Sequence, residues 1–227
     1  MAGPIPEMGF VAVPRSAASI ERTWDGVNAV WGSGSHAVAI ASHTVPGDAI
    51  ASMTAMATAD VPMARLPGLS GQSIWLAAVA VGIGRAAVEG AISQASTRIS
   101  AASGRAWSDY PSTQNSVASA DIAIECARQG LFALADHTEE QLLAGDPPDR
   151  QTNARLHSIC DHAFRTVRRS VSDLFTAGSV DALRAGHILE QSLRDIHGFS
   201  VQWERYRHLH YAAGKGLLGD DIVDPMY

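Results

Sequence analysis

The sequence predicts a mainly α protein: a four-helix up-down bundle preceded by a partial antiparallel β-domain. Three observations predict it. Near residue 70 the chain changes from short apolar runs broken by Gly and Pro to long Ala-rich segments. Four such segments follow, each with helical patterning. Short Gly- or Pro-containing connections separate them, which places successive helices antiparallel. On this reading residues 1–69 are a partial β-domain with its connector, and residues 70–227 are the helical bundle domain.

The elements follow in order. "FVAVP" (10–14) reads as a strand that Pro14 ends. "WGSGS" (31–35) is a flexible turn. "HAVAIASHTVP" (36–46) puts Val38 and Ile40 on one face of a strand, closed by Pro46. Residues 51–69 read as a connector with Pro62 and Pro67 as stops. The first long helix is expected over Ser70 to Ser100, where Ala80, Gly82, Gly84, Ala87 and Gly90 allow close approach of a neighbour. The second runs from Ser112 to Leu143 and stops at "AGDPPD". The third runs from Gln151 to Thr176 and stops at Gly178. The fourth starts near Ser179, with Asp181 in its opening turns, and reaches Leu218, interrupted near Gly186 or Gly198. Helices of about 25 to 35 residues exceed the usual 11–12 and suggest packing against other subunits.

Bulk properties exclude some functions. A net charge of −6, with no dense Lys/Arg run beyond Arg165, Arg168 and Arg169, gives no basic face for nucleic acid. Cys126 and Cys160 lack zinc or disulfide spacing and are expected as two buried thiols; no metal site is indicated. "MAGPIPEMGF" has no basic start or apolar run of a secretory signal. The apolar stretch Ile74 to Ile83 falls short of the roughly 20 residues that span a bilayer. The expectation is a buried helix in a cytoplasmic protein without a membrane partner.

The order of a strand, "WDGVNAVWGSGSH…TVP", a helix opening "LSGQSIWLAAVAVGIGRAAVEGA", and "LRDIHG…AAGKGLLG" resembles the acyl-CoA dehydrogenase fold. The resemblance covers nearly all of the chain: the end of the middle β-domain and the whole C-terminal helical domain. The nearest branch is the flavin-dependent monooxygenases, of the aromatic and steroid hydroxylase type. It implies a flavin-dependent oxidoreductase, either dehydrogenase or monooxygenase, with FAD or FMN. It also implies a homo-oligomer, dimer or tetramer, assembled through the bundle. Family members carry an N-terminal helical domain and further β-strands for which this sequence shows no counterpart. Two expectations follow: a second chain supplies them, or the sequence is a fragment of a longer reading frame. The alternative function is a non-catalytic assembly subunit or remnant that oligomerises through the bundle.

The resemblance also nominates residues. Ser33 and Ser35, in the "GSGSH" turn, are expected near flavin or substrate; a plain β-turn accounts for them equally. Arg98 resembles an arginine that reaches flavin phosphates, a task suited to a planar guanidinium; a solvated helix-end arginine is the other reading. Gln114 is a weaker polar candidate. Arg194 and Asp195 resemble an Arg-Asp pair of the last helix. Adjacent helical residues diverge by about 100°, so each is expected to reach a different neighbouring helix as a clasp; the alternative puts Arg194 on flavin phosphate or ribose. His197 lies one turn on. The monooxygenase branch has a histidine eight residues after that arginine, where this chain has Gln202, which cannot act as a base. His208 and His210 are read as an exposed polar face. Glu190 is not assigned as a base, and the catalytic residue stays unknown.

Overall fold

The computed structural model describes residues 9–52, 61–66, 70–146, 148–178 and 180–219. Four short strands come first: β1 (Gly9–Val11), β2 (Ala18–Glu21), β3 (Ala37–Ile40) and β4 (Ile50–Ser52). β1 pairs antiparallel with β4, Phe10 opposite Ala51. β2 pairs antiparallel with β3, Ser19 opposite Ala39. None of the four contains a buried residue. Phe10, Ile20, Val38, Ile40 and Ile50 are all at least half exposed, so the two ribbons build no core of their own. The structure departs from the sequence reading here. The first strand is only Gly9–Val11, and β2 and β4 were not expected at all. Strands of three or four residues with both faces exposed carry no apolar alternation to detect. Pro67 and Pro147, expected as stops, lie outside the described residues.

Five helices follow: α1 (Ser70–Thr97), α2 (Pro111–Leu143), α3 (Arg150–Ala177), α4 (Ile188–Glu204) and α5 (Arg207–Leu217). Pro111 sits in the first turn of α2, where its missing N–H costs nothing. Asp149 caps α3 by accepting the Thr152 N–H at 2.7 Å. α2 ends ahead of Gly145, whose φ of 86° suits only glycine well. The expected fourth helix is broken. Val180–Leu183 forms a 3₁₀ turn, Gly186 takes φ 81°, and α4 starts after His187. Gly198 does not interrupt α4; the second break comes at residues 205–206.

Paired contacts give the direction of each helix. Ser70 meets His157 and Gly84 meets Val167, so α1 and α3 run parallel. Gly84 also meets Ile124, while Arg85 pairs with Asp121 at 2.6 Å. Gly130 meets Ile159, which sets α2 antiparallel to α3. Ser172 meets His197 and Asp161 meets Trp203, which sets α4 antiparallel to α3. The result is an up-down-up-down bundle. α3 packs on all four other helices and is buried on several faces. Phe164 stacks on Trp203 with centroids 4.4 Å apart and leans on Phe199 at 5.5 Å. Burial of a side chain such as Phe164 contributes roughly 1.5–3 kcal/mol.

Among the described residues α1 alone is long and apolar enough to span a bilayer by length and composition. Its buried stripe, Ala77, Ala80, Val81, Gly84, Ala87, Val88 and Ala91, faces α2, α3 and α4 and makes it a core helix of the bundle. Cys160 is fully buried, as expected, but Cys126 is exposed. It lies on the solvent side of α2, two residues from the inward-facing Ile124.

Candidate functional site

The site is built where the loop after β2 docks on the bundle. Trp24 fixes the loop from inside: its backbone N–H donates to His36 Nδ1 at 3.0 Å and its indole N–H to the Val30 carbonyl at 3.3 Å. Trp31–Ser33 then form one 3₁₀ turn, closed by Gly34 at φ 56°. The Ser33 and Ser35 hydroxyls lie 3.0 Å apart.

α4 supplies the seat. Glu190, Arg194, Gly198 and Gln202 recur at intervals of four, so they share one helical face. All four line a single open cleft of about 1410 Å³ together with Trp31, Ser33 and Ser35. Leu76, Val79 and Ile83 of α1 form its apolar wall. The loop approaches α4 closely because residue 198 is glycine; a Cβ there would overlap the side chain of Ala29.

Arg194 and Asp195 both grip this loop. Arg194 donates Nη1 to the Asn28 carbonyl and stands 5.5 Å from the Trp31 ring centroid, a cation–π distance. Its other donors engage Glu190, including Nη2 to Oε2 at 3.3 Å. This bond draws the Glu190 carboxyl below its ordinary range and raises the guanidinium above its own. Asp195 Oδ1 accepts the Val30 N–H at 2.9 Å. The pair is thus a clasp, but on one loop; the sequence reading expected two neighbouring helices.

The remaining candidates lie elsewhere. Arg98 sits just beyond the far end of α1, outside the cleft. It donates Nη1 to the Gly178 carbonyl at 3.1 Å and meets Asp181 at 2.5 Å. Gln114 lines a smaller hollow of about 400 Å³ between α1 and α2 and donates to the Ser108 carbonyl at 2.9 Å. His197 turns to Ser172 of α3, 3.2 Å away. His208 Nδ1 lies 2.8 Å from the Arg205 carbonyl. His210 is about a third exposed, and α5 folds back on α3 and brings its Nε2 to 3.9 Å from the buried Asp161. That carboxylate also accepts the Trp203 indole N–H at 3.1 Å and pairs with Arg165 at 2.6 Å.

Of the residues nominated from the sequence, the fold brings Ser33, Ser35 and Arg194 to one cleft, which Gln202 also lines, and leaves Arg98 outside it. Sequence reasoning missed Trp24, Val30 and Trp31 as the frame of the lip. The indole next to "GSGS" was the available signal. Among the described residues no cluster of three His, Cys, Asp or Glu has the makings of a metal site.

Comparison with known proteins fits this architecture. Residues 74–201 match the family described as acyl-CoA dehydrogenase, C-terminal domain. The chain is 35% identical over 158 residues to an indole-3-acetate monooxygenase of Pseudomonas putida, covering 70% of this chain and 40% of that protein. It superposes on the HsaA monooxygenase of M. tuberculosis with a TM-score of 0.84 at 23% identity, covering 99% of this chain and 60% of that one. It superposes on XiaF of Streptomyces sp., solved with FADH2 and glycerol, with a TM-score of 0.78 at 20% identity, covering 96% and 57%. The chain therefore spans about half the length of the proteins it resembles. With more than half of its residues matched to that one domain, the chain belongs to the acyl-CoA dehydrogenase family.

Proposed function

We propose that this chain forms the helical-domain side of a flavin-dependent oxidoreductase, a monooxygenase or a dehydrogenase, acting in the cytoplasm. One observation carries the reading: in a chain of this family, the Trp31–Ser35 lip and the α4 face enclose a cleft against the apolar wall of α1. The residues present fit one side of a flavin. Leu76, Val79 and Ile83 suit a flat apolar ring face, and the Ser33 and Ser35 hydroxyls and the Gln202 amide suit its polar edge. FAD and FMN share that ring. When bound, the flavin supplies the electron chemistry, and the protein supplies position and polarity.

The chain's own residues bind and orient more than they move protons. The titratable groups lining the cleft are Glu190, Arg194, Asp195 and Arg205. Glu190 is tied to Arg194, and Asp195 to the loop backbone. On the resemblance to the monooxygenase branch, Gln202 takes the place of a histidine, and an amide donates and accepts without acting as a base. A base has to come from substrate or from another segment. We take residues 70–227 as the helical domain and residues 1–69 as part of the β-domain, with partners being further copies of the chain or a second chain. Trp75, Ile92 and Ile122, exposed on the bundle, suit such an assembly. Arg98 is retained as a flavin-phosphate candidate across such an interface.

The second reading, an assembly subunit without turnover, draws on the same side chains. Arg194 is already satisfied by Glu190 and Asn28. Titration of the purified chain with FAD and with FMN separates the two readings. A shifted, structured flavin absorption band with quenched flavin fluorescence supports the oxidoreductase. A colourless oligomer that leaves both flavins unperturbed supports the assembly subunit.

A further inference from the structure

Val30 carries a left-handed backbone, φ 47° and ψ 36°. Among the described residues it is the one non-glycine with positive φ. A β-branched side chain crowds its own backbone there, so the conformation persists only where its surroundings impose it. Those surroundings are specific. Asp195 Oδ1 accepts its N–H at 2.9 Å, and the Trp24 indole donates to its carbonyl at 3.3 Å. The residue before it sits on Gly198, and the residue after it lies against the Arg194 guanidinium. Val30 is also the residue from which the Trp31–Ser33 turn departs. Its dihedrals therefore set the direction in which Trp31, Ser33 and Ser35 leave the bundle.

We propose that Asp195 is the positioning residue of the cleft: by accepting the Val30 N–H it latches the lip in a strained, docked state that presents Trp31, Ser33 and Ser35 to a bound ligand. Without the latch, Val30 relaxes to negative φ and the turn swings off α4. The role belongs to the carboxylate oxygen as an acceptor, not to its charge. Val30 is the spring and Asp195 the catch. The flavin part of the test rests on the proposed function; the latch itself does not.

The test compares Asp195→Ala, Asp195→Asn, and Asp195→Ala combined with either Val30→Gly or Val30→Ala. Glycine and alanine remove nearly the same packing, and only glycine takes positive φ freely. The readout is Trp31 emission and its quenching by acrylamide, isolated by difference against matching chains that carry Trp31→Phe. Trp31 is already 63% exposed when docked, with the Arg194 guanidinium over its ring. Asp195→Ala is therefore expected to shift its emission and raise its acrylamide quenching from this partly covered state to that of a free indole. It is also expected to weaken FMN or FAD binding about tenfold, the order set by one strained residue. Asp195→Asn, which keeps the acceptor, and Val30→Gly with Asp195→Ala are expected to return to wild type. Val30→Ala with Asp195→Ala is not.

A wild-type Trp31 signal in a folded Asp195→Ala chain overturns the latch, as does equal rescue by alanine. Should Asp195→Ala fail to fold, the single variants decide. Val30→Gly is expected to melt no lower than Val30→Ala, and the reverse order overturns the proposal. Should no chain bind either flavin, the flavin reading falls while the Trp31 comparison still judges the latch.

Discussion

Arg98 and Asp181 join the end of α1 to the turn that opens the last helical segment, with guanidinium and carboxylate 2.5 Å apart. The same guanidinium donates to the Gly178 carbonyl, the group left over where α3 stops. It also lies 5.9 Å from the Trp107 ring centroid. Arg98 thus ties α1, α3 and the 180–183 turn. The ion pair is partly solvated and worth little alone; the bond to the carbonyl is worth more. Arg98→Ala is expected to lower unfolding stability by about 1–2 kcal/mol. Arg98→Lys keeps the charge, loses the fork and recovers less than half of that. Urea unfolding reads both. An unchanged midpoint with weakened flavin binding assigns the side chain to phosphate instead.

Glycines two residues apart on α1 predict opposite signs for one substitution. A Cβ on Gly84 would come within 3.0 Å of both Ile124 and Val167 side chains in the packed core. A Cβ on Gly82 would meet nothing within 4 Å. Gly84→Ala is expected to destabilise by about 1–3 kcal/mol through overpacking. Gly82→Ala is expected to stabilise by roughly 0.5–1 kcal/mol through helix propensity. Thermal melts of the two variants check the ordering, and equal shifts would sink the packing geometry around Gly84.

The two thiols differ for reasons the sequence does not carry. Cys126 is exposed on α2. Cys160 is fully buried on α3, and burial, with the neighbouring Asp161 carboxylate adding to it, pushes its thiol up to about 12. Only thiolate reacts readily with alkylating or disulfide reagents. At pH 8 the native chain is expected to titrate one thiol rapidly, and Cys126→Ser to abolish that reaction. Two thiols appear after denaturation. Fast reaction of Cys160 in the native chain would contradict the packing of α3.

Much of the bundle was legible because its signals are local. Gly145 and Gly178 mark the ends of α2 and α3, and Gly186 marks the first break in the last segment. Gly198 is the other place where the sequence suggests a break, because a mid-helix glycine usually weakens a helix. Its reason is tertiary: it makes room for Ala29, far away in sequence. Val30 shows the same limit more sharply. Its intrinsic preference opposes the conformation it adopts, and the acceptor that imposes it lies on α4. The approach of His210 to Asp161 is not legible in the sequence, because an amphipathic pattern does not reveal that α5 folds back onto α3. The residues carried by family resemblance, Ser33, Ser35 and Arg194, converge on the cleft; Arg98 lies outside it, beyond the far end of α1.

The Glu190–Arg194 pair predicts a direction for acid sensitivity. Arg194 donates to the Glu190 carboxylate and holds it below its ordinary range. A carboxylate with a lowered folded pKa stabilises the fold above its unfolded value, and that contribution is lost as pH falls through the folded one. Both side chains are about a quarter exposed or less, so solvent screens the pair only in part. Glu190→Gln removes the charge at every pH while keeping an oxygen for Arg194. It is expected to be less stable than wild type at pH 7. The gap should narrow as pH falls below the ordinary carboxylate range, where the wild-type carboxyl in turn protonates and loses the same interaction. The comparison needs thermal midpoints of both chains across pH 3 to 7. A gap that stays constant or widens on acidification would show that Glu190 holds Arg194 by shape alone, and the charge would then have no part in orienting the guanidinium toward Asn28 and Trp31.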